Sequence, residues 1–240
     1  MILQNLTFKN ATAVDSTIVT ANLIMNLDAS NGITGSTWTD LTGNNNNATL
    51  YNGVANTTIG STQAASFNGT NQYAFPLNGF GTQLNNPGGC TYELWVRPAT
   101  TANGTIIIEL DSTTLPPGGY RCAQMAVVST HLNGGVFNTG YVQGPVVTAN
   151  TWYNFALTYN GTNLTTVYVN GVNVGTTSGA ETTPASDYLV LGYPDGVGAY
   201  LGGATGYFNG YIGSWRVYGV GLTSAQIQQN FNATRGRYGI

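Results

Sequence analysis

Apolar and polar residues alternate with a period of two along most of this chain, the pattern of strands with one buried face. From Thr91 to Arg97, Tyr92, Leu94 and Val96 share one face while Glu93, Trp95 and Arg97 share the other. Trp152–Tyr159 and Thr165–Val169 alternate likewise, joined by Asn160-Gly161-Thr162-Asn163, residue types suited to the positive φ of a hairpin turn. Asn170-Gly171 then predicts a two-residue turn into Val172–Thr176. Further strands are expected at Ala21–Leu27, Ala64–Phe67, Tyr73–Leu77, Ile106–Leu110, Leu189–Leu191 and Tyr207–Tyr218. Strands at short intervals, punctuated by Gly and Asn, predict an all-β fold: a two-sheet antiparallel jelly-roll sandwich.

One segment changes period. Thr223 is placed to cap a helix, Gln226 completes a capping box, and Leu222 can staple onto Ile227, so one short C-terminal helix is expected over about 223–233. Ile227 and Phe231, four apart, give it one apolar face. Met1–Thr20 shows neither period and is expected to be an extended arm, leaving 21–240 for the jelly roll, helix and tail.

Composition bears mainly on the surface. The 240 residues include only six Lys and Arg and nine Asp and Glu, with Lys9 the single lysine; 28 Asn and 35 Thr stand in their place. A net charge of −3 with no basic cluster argues against nucleic-acid binding and against a basic helix on a membrane surface. No apolar run reaches the roughly eighteen residues of a membrane span, and Met1–Val19 lacks the basic-then-apolar start of a signal peptide. A surface of Thr, Asn, Ser and Gly presents few charges to oppose dense packing against another protein. Cys90 and Cys122 can pair once or remain thiols.

Three blocks resemble laminin-G-like, concanavalin A-like (pentraxin-type) jelly rolls in order and spacing. They are Cys90–Pro98; Asn150–Gly161 with the Val167–Gly171 hairpin; and Phe208–Tyr218 with Leu222–Ile227. The opening from Asn22 through Trp38-Thr39-Asp40-Leu41-Thr42-Gly43-Asn44 and the tail Gln229–Ile240 look like laminin-G-like proteins of tailed phages and related viruses. That resemblance implies a virion location. The expected role is a capsid decoration or cement subunit, assembled in the host cytoplasm and touching capsid proteins and copies of itself, with Met1, Ile2, Leu3, Leu6 and Phe8 of the arm as contacts. The alternative is a glycan-binding adhesin or fibre head recognising host-surface sugar.

Candidate chemistry is sparse. A glycosidase needs two carboxylates about 5–10 Å apart; Glu109-Leu110-Asp111 is the nearest pattern, but concanavalin-like glucanases add an acid where this chain has Thr114. His131 is the lone histidine and no Gly-x-Ser-x-Gly elbow accompanies it. A glycoside hydrolase is therefore the third reading, with no catalytic residue assigned, and no enzyme activity is expected. The family often holds calcium, which implies a structural ion at Asp195, Asp28 or Asp40 and no other cofactor. Relatives carry acids where this chain has Gly213-Ser214 and Gln72, which thins such a site. For sugar, rings that stack are needed: Tyr193 and Tyr200 lie in a Gly-rich loop, and Trp95 either joins them or is core on its strand's second face.

Overall fold

A computed structural model describes residues 17–76, 88–111, 121–136, 140–179, 187–193 and 206–240. The all-β sandwich expected from the alternation is present. Strands β1 (Leu23–Asp28), β5 (Ala55–Ile59), β6 (Thr62–Asn68), β8 (Cys90–Pro98), β13 (Tyr153–Tyr159), β14 (Leu164–Val169), β15 (Val172–Ser178) and β17 (Asn209–Tyr218) form one sheet. Its order is β15-β14-β13-β8-β17-β6-β5, and β1 pairs with the second half of β17. The facing sheet is built from β2 (Ile33–Thr34), β3 (Thr37–Trp38), β4 (Ala48–Tyr51), β7 (Tyr73–Pro76), β9 (Gly104–Asp111), β10 (Arg121–Val128), β11 (His131–Val136), β12 (Gly140–Val146) and β16 (Asp187–Leu191). It runs β12-β11-β10-β9-β16-β7-β4-β3-β2. Neighbouring strands pair antiparallel in both sheets. The helical elements among the described residues are a single turn, α1 (Ala29–Gly32), and α2 (Ser224–Thr234) followed by a 3-10 turn, Arg235–Tyr238. No helix among the described residues is long and apolar enough to cross a membrane.

The interior between the sheets takes one face of each strand. Tyr92, Leu94 and Val96 of β8 and Phe155 and Leu157 of β13 meet Leu50, Ala74, Met125, Val127 and Leu191 from the other side. The expected hairpins form in the expected register, with Tyr159 opposite Thr165 and Val169 opposite Val172 around Asn170 and Gly171 in left-handed turn conformations.

One sheet is covered on its outer face as well, and α2 is the cover. Thr223 accepts from the Gln226 backbone N–H, and the Gln226 side chain accepts from the Thr223 N–H, completing the capping box. Leu222 and Ile227 pack together on Ala156, Tyr168 and Tyr218. Beneath α2, Glu93 is fully buried. One carboxylate oxygen accepts from Asn154 at 2.9 Å and lies 3.6 Å from Arg216 Nη1; the other accepts from Asn230 at 2.6 Å. Asn230 also accepts from the Val19 N–H at 2.7 Å, while the Tyr218 hydroxyl donates to the Val19 carbonyl. The chain is thus tied to the body from Thr17 onward, ahead of the expected start at residue 21.

Seven of the described strands escape the sequence pattern: the short β2 to β5 near the start, and β10, β11 and β12. In β11 and β12, Gly134, Gly135, Gly144 and Pro145 interrupt the alternation, and β12 lies at a sheet edge, where Gly and Pro are tolerated.

Candidate functional site

The sheet away from α2 carries aromatic rings on its outer face. Leu50, Ala74, Leu189 and Leu191 point inward, so their strand neighbours Tyr51, Tyr73, Phe75 and Val190 point out. Tyr51 and Tyr73 are direct register partners and stack with centroids 4.5 Å apart and planes 8° from parallel. Tyr193 meets the Tyr73 ring edge-on at 5.2 Å, and Tyr207 meets Tyr193 edge-on at 5.5 Å. Val190 is buried beneath Tyr73, Phe75 and Tyr193. The four tyrosines and Phe75 are each half-buried, leaving part of the rings to solvent.

Local chemistry fixes this platform. Asn68 folds the loop ahead of β7 by accepting from the N–H groups of Thr70, Asn71 and Gln72. Asn52 and Gln72 then cross-link that loop to the turn after β4, Asn52 donating to the Asn71 carbonyl and Gln72 to the Asn52 carbonyl. Gly192 positions Tyr193. Its φ is +80°, and a Cβ there would sit 2.9 Å from the Phe67 ring. Its N–H donates to the Ile106 carbonyl and its carbonyl accepts from the Phe208 N–H, which brings Tyr207 alongside. Tyr207 also lines a notch of about 140 Å³ with Asn103 and Asn209, smaller than pockets that enclose a whole ligand.

Burial, then the neighbouring tyrosines, push the Tyr73 hydroxyl above its ordinary pKa; burial and then Tyr207 do the same for Tyr193. Both hydroxyls therefore stay protonated, and able to donate, at neutral and mildly alkaline pH. Two amides with unpartnered atoms lie further along the same sheet, and both are buried, Gln124 at 0% and Asn133 at 2% exposed, so they do not reach a ligand on the rings. Gln124 is paired in register with Ile108, which is paired with Val190, and neither its Oε1 nor its Nε2 has a partner; nor has Asn133 Oδ1 on β11. Stacking rings that carry hydroxyl donors can bind a pyranose or furanose by its apolar face and its hydroxyls.

Of the residues singled out from the sequence, Tyr193 lies in this platform. Trp95 does not, which corrects its glycan-binding assignment. It is fully buried on the opposite sheet, stacked on Tyr238 at 4.1 Å and near-parallel to Phe231 at 5.8 Å, its indole N–H donating to Thr234. The cause is the helix and tail that cover the second face of β8. Asp28 and Asp40 are corrected as metal ligands, because their oxygens are already engaged. Asp28 caps α1 through the Ser30 N–H and pairs with Arg237 at 2.6 Å. Asp40 accepts from the N–H groups of Asn26, Thr42 and Asn46 and from the Thr42 hydroxyl. No cluster of three or more metal-ligating side chains occurs among the described residues. Tyr200, Asp195 and the arm residues Met1, Ile2, Leu3, Leu6 and Phe8 lie outside the described residues, as do the side chains of Glu109, Asp111 and Cys122. His131 opens β11, its Nδ1 2.8 Å from the Ser129 carbonyl. Tyr51, Tyr73 and Tyr207 are members of the site that sequence reasoning misses; the outward Tyr73-Ala74-Phe75 pattern, two rings flanking a small inward residue, is the available signal.

Residues 68–228 match the family model of the concanavalin A-like lectin/glucanases superfamily, and this chain belongs to that family. A search of curated proteins finds no match. Among solved structures, Trypanosoma rangeli sialidase in complex with sialic acid aligns over 92% of this chain and 34% of its own, at 17% identity and TM-score 0.69. The chain thus spans about a third of that enzyme. Domain 4 of the extracellular arabinanase AbnA from Geobacillus stearothermophilus, in complex with arabinotriose, aligns over 87% of this chain and 98% of its own, at 18% identity and TM-score 0.59. The binding domain of Paraclostridial Mosquitocidal Protein 1 aligns over 89% and 52%, at 14% identity and TM-score 0.62. At these identities the likeness is one of fold.

Proposed function

We propose that this chain is a non-catalytic carbohydrate-binding module that docks an oligosaccharide on its outer tyrosine platform. The observation that carries the reading is the run of half-exposed rings Tyr51, Tyr73, Tyr193 and Tyr207 on the outer face of one sheet. Binding rather than cleavage is favoured because, among the described residues, the buried carboxylates Asp28, Asp40 and Glu93 are all engaged in structural hydrogen bonds and none lies among the platform rings. The expected capsid-decoration role rests on arm residues outside the described region and on a resemblance. Glycan binding, the alternative, becomes the leading reading because described side chains support it. Sialic acid and arabinotriose, present in structures of similar fold, are the first sugars to test. Binding on a glycan array, with calorimetry on the hits, should weaken at least tenfold in Tyr73→Ala and Tyr193→Ala. Unchanged affinity in both variants would refute the platform.

A further inference from the structure

We infer a second binding site, on the α2 side of the sandwich, that takes an uncharged, hydroxyl-rich ligand the size of a single saccharide unit. It is a groove of about 440 Å³ between the outer face of β13–β15 and the segment that leads into α2. That volume falls within the roughly 300–1,000 Å³ usual for small-ligand sites.

Its floor is a ladder of hydroxyls. Thr158 is the register partner of Thr166, and Thr166 is the partner of Thr176, so one row of threonines crosses three strands. Directly opposed side chains stand about 4.5–5.5 Å apart at Cβ, near enough for one sugar ring to span two of them. Inward neighbours Leu157 and Val167 belong to the core, which leaves Thr158 and Thr166 facing the groove. Both are only 6% exposed, and neither hydroxyl has a hydrogen-bond partner among the described residues. Neither hydroxyl is among the fully buried polar atoms, so each keeps its small opening toward the groove, free to bond a ligand rich in hydroxyls.

The walls suit the same chemistry. On one side Ser224 lies 3.0 Å from the Tyr168 hydroxyl, the two fixing the rim next to α2. On the other, Asn160 spends its carbonyl oxygen on the N–H groups of Thr162, Asn163 and Leu164, which turns that loop into a fixed edge. Asn173 likewise accepts from the Gly175 N–H. Both amide Nδ2 groups remain donors to a ligand. Leu164 and Leu222 supply apolar surface, and none of the lining side chains is charged. A neutral polyol satisfies this set, whereas a charged ligand finds no counter-charge. The site shares no residue with the tyrosine platform.

The test is ligand-observed saturation-transfer NMR on the whole chain with glucose, galactose, mannose, arabinose and N-acetylglucosamine. The background is the Tyr73→Ala/Tyr193→Ala variant, which removes the platform. At least one sugar should still bind, and adding Thr158→Val and Thr166→Val should weaken it at least tenfold. Valine keeps the shape and strand preference of threonine, and unchanged circular dichroism verifies the fold. Should that variant unfold, Leu164→Trp, at an exposed position, should block the groove by bulk. No binding by any of the five sugars in the platform-free background overturns the inference. So does binding that survives both the valine pair and Leu164→Trp. Sugar binding by the wild type that ignores the tyrosine changes but falls with the threonine changes would refute the platform and leave this site standing.

Discussion

Gly192 is the joint on which the tyrosine platform hangs, and replacing it by alanine should damage both stability and binding. Two costs are separable. Its φ of +80° places any L side chain in the left-handed region, at about 1–2 kcal/mol. The new Cβ would also stand 2.9 Å and 3.1 Å from two atoms of the Phe67 ring and 3.3 Å from the Gln72 carbonyl oxygen. Phe67 is 3% exposed and sits in the core, so it has little room to move, and overpacking of that kind costs about 1–3 kcal/mol. The expected total is about 2–5 kcal/mol. Gly35 is the control: its φ is +59°, yet a Cβ there would meet nothing within 4 Å, so Gly35→Ala carries the backbone cost alone. Urea unfolding of the two variants, compared at a common slope, isolates the packing cost. Glycan affinity should fall in Gly192→Ala and hold in Gly35→Ala, because only the former disturbs the links to Ile106 and Phe208 that set Tyr193 and Tyr207. If Gly192→Ala is no less stable than Gly35→Ala and binds equally well, the reasoning fails.

Further outcomes follow from buried side chains. Tyr73, Tyr193, Tyr218 and Tyr238 are all held above the ordinary tyrosine value of 10.0, burial being the largest cause in each. The folded chain therefore prefers their protonated forms. Stability should be fully present below pH 10 and decline as pH rises through the folded values, with a shallower decline in Tyr218→Phe; urea midpoints at several alkaline pH values read this, and an unaltered decline would contradict it. Asp40→Ala should cost at least about 3 kcal/mol, read from the same urea unfolding, since it strands three backbone N–H groups that now share a charged acceptor. Asp28→Asn and Asp40→Asn should leave the response of Tm to calcium as it is in the wild type, and a calcium-induced rise abolished by either would restore the metal-ligand reading there.

What the sequence revealed depended on whether the cause was local. The capping box at Thr223 and Gln226 and the Asn170-Gly171 turn are decided by neighbours a few residues away, and both are legible in the letters. The two faces of β8 were legible as faces, but not that both are buried, because the cover comes from α2 and Tyr238, more than 130 residues downstream. The acids illustrate the same limit. Asp28 and Asp40 look like ligands until Arg237 and the backbone N–H groups of Asn26, Thr42 and Asn46 are seen to occupy them. The platform is assembled from four separate segments, and no single-segment pattern joins Tyr51 to Tyr207.

The place of β17 in its sheet has a consequence for synthesis. This strand sits between β8 and β6, and also holds β1, yet it follows every other described strand in the chain. Val19 is fastened to Asn230 across a separation of 211 residues. During translation, the early strands must wait on the ribosome without their central partner. Closure of that sheet is a late event in folding, as expected where contacts are far apart in sequence.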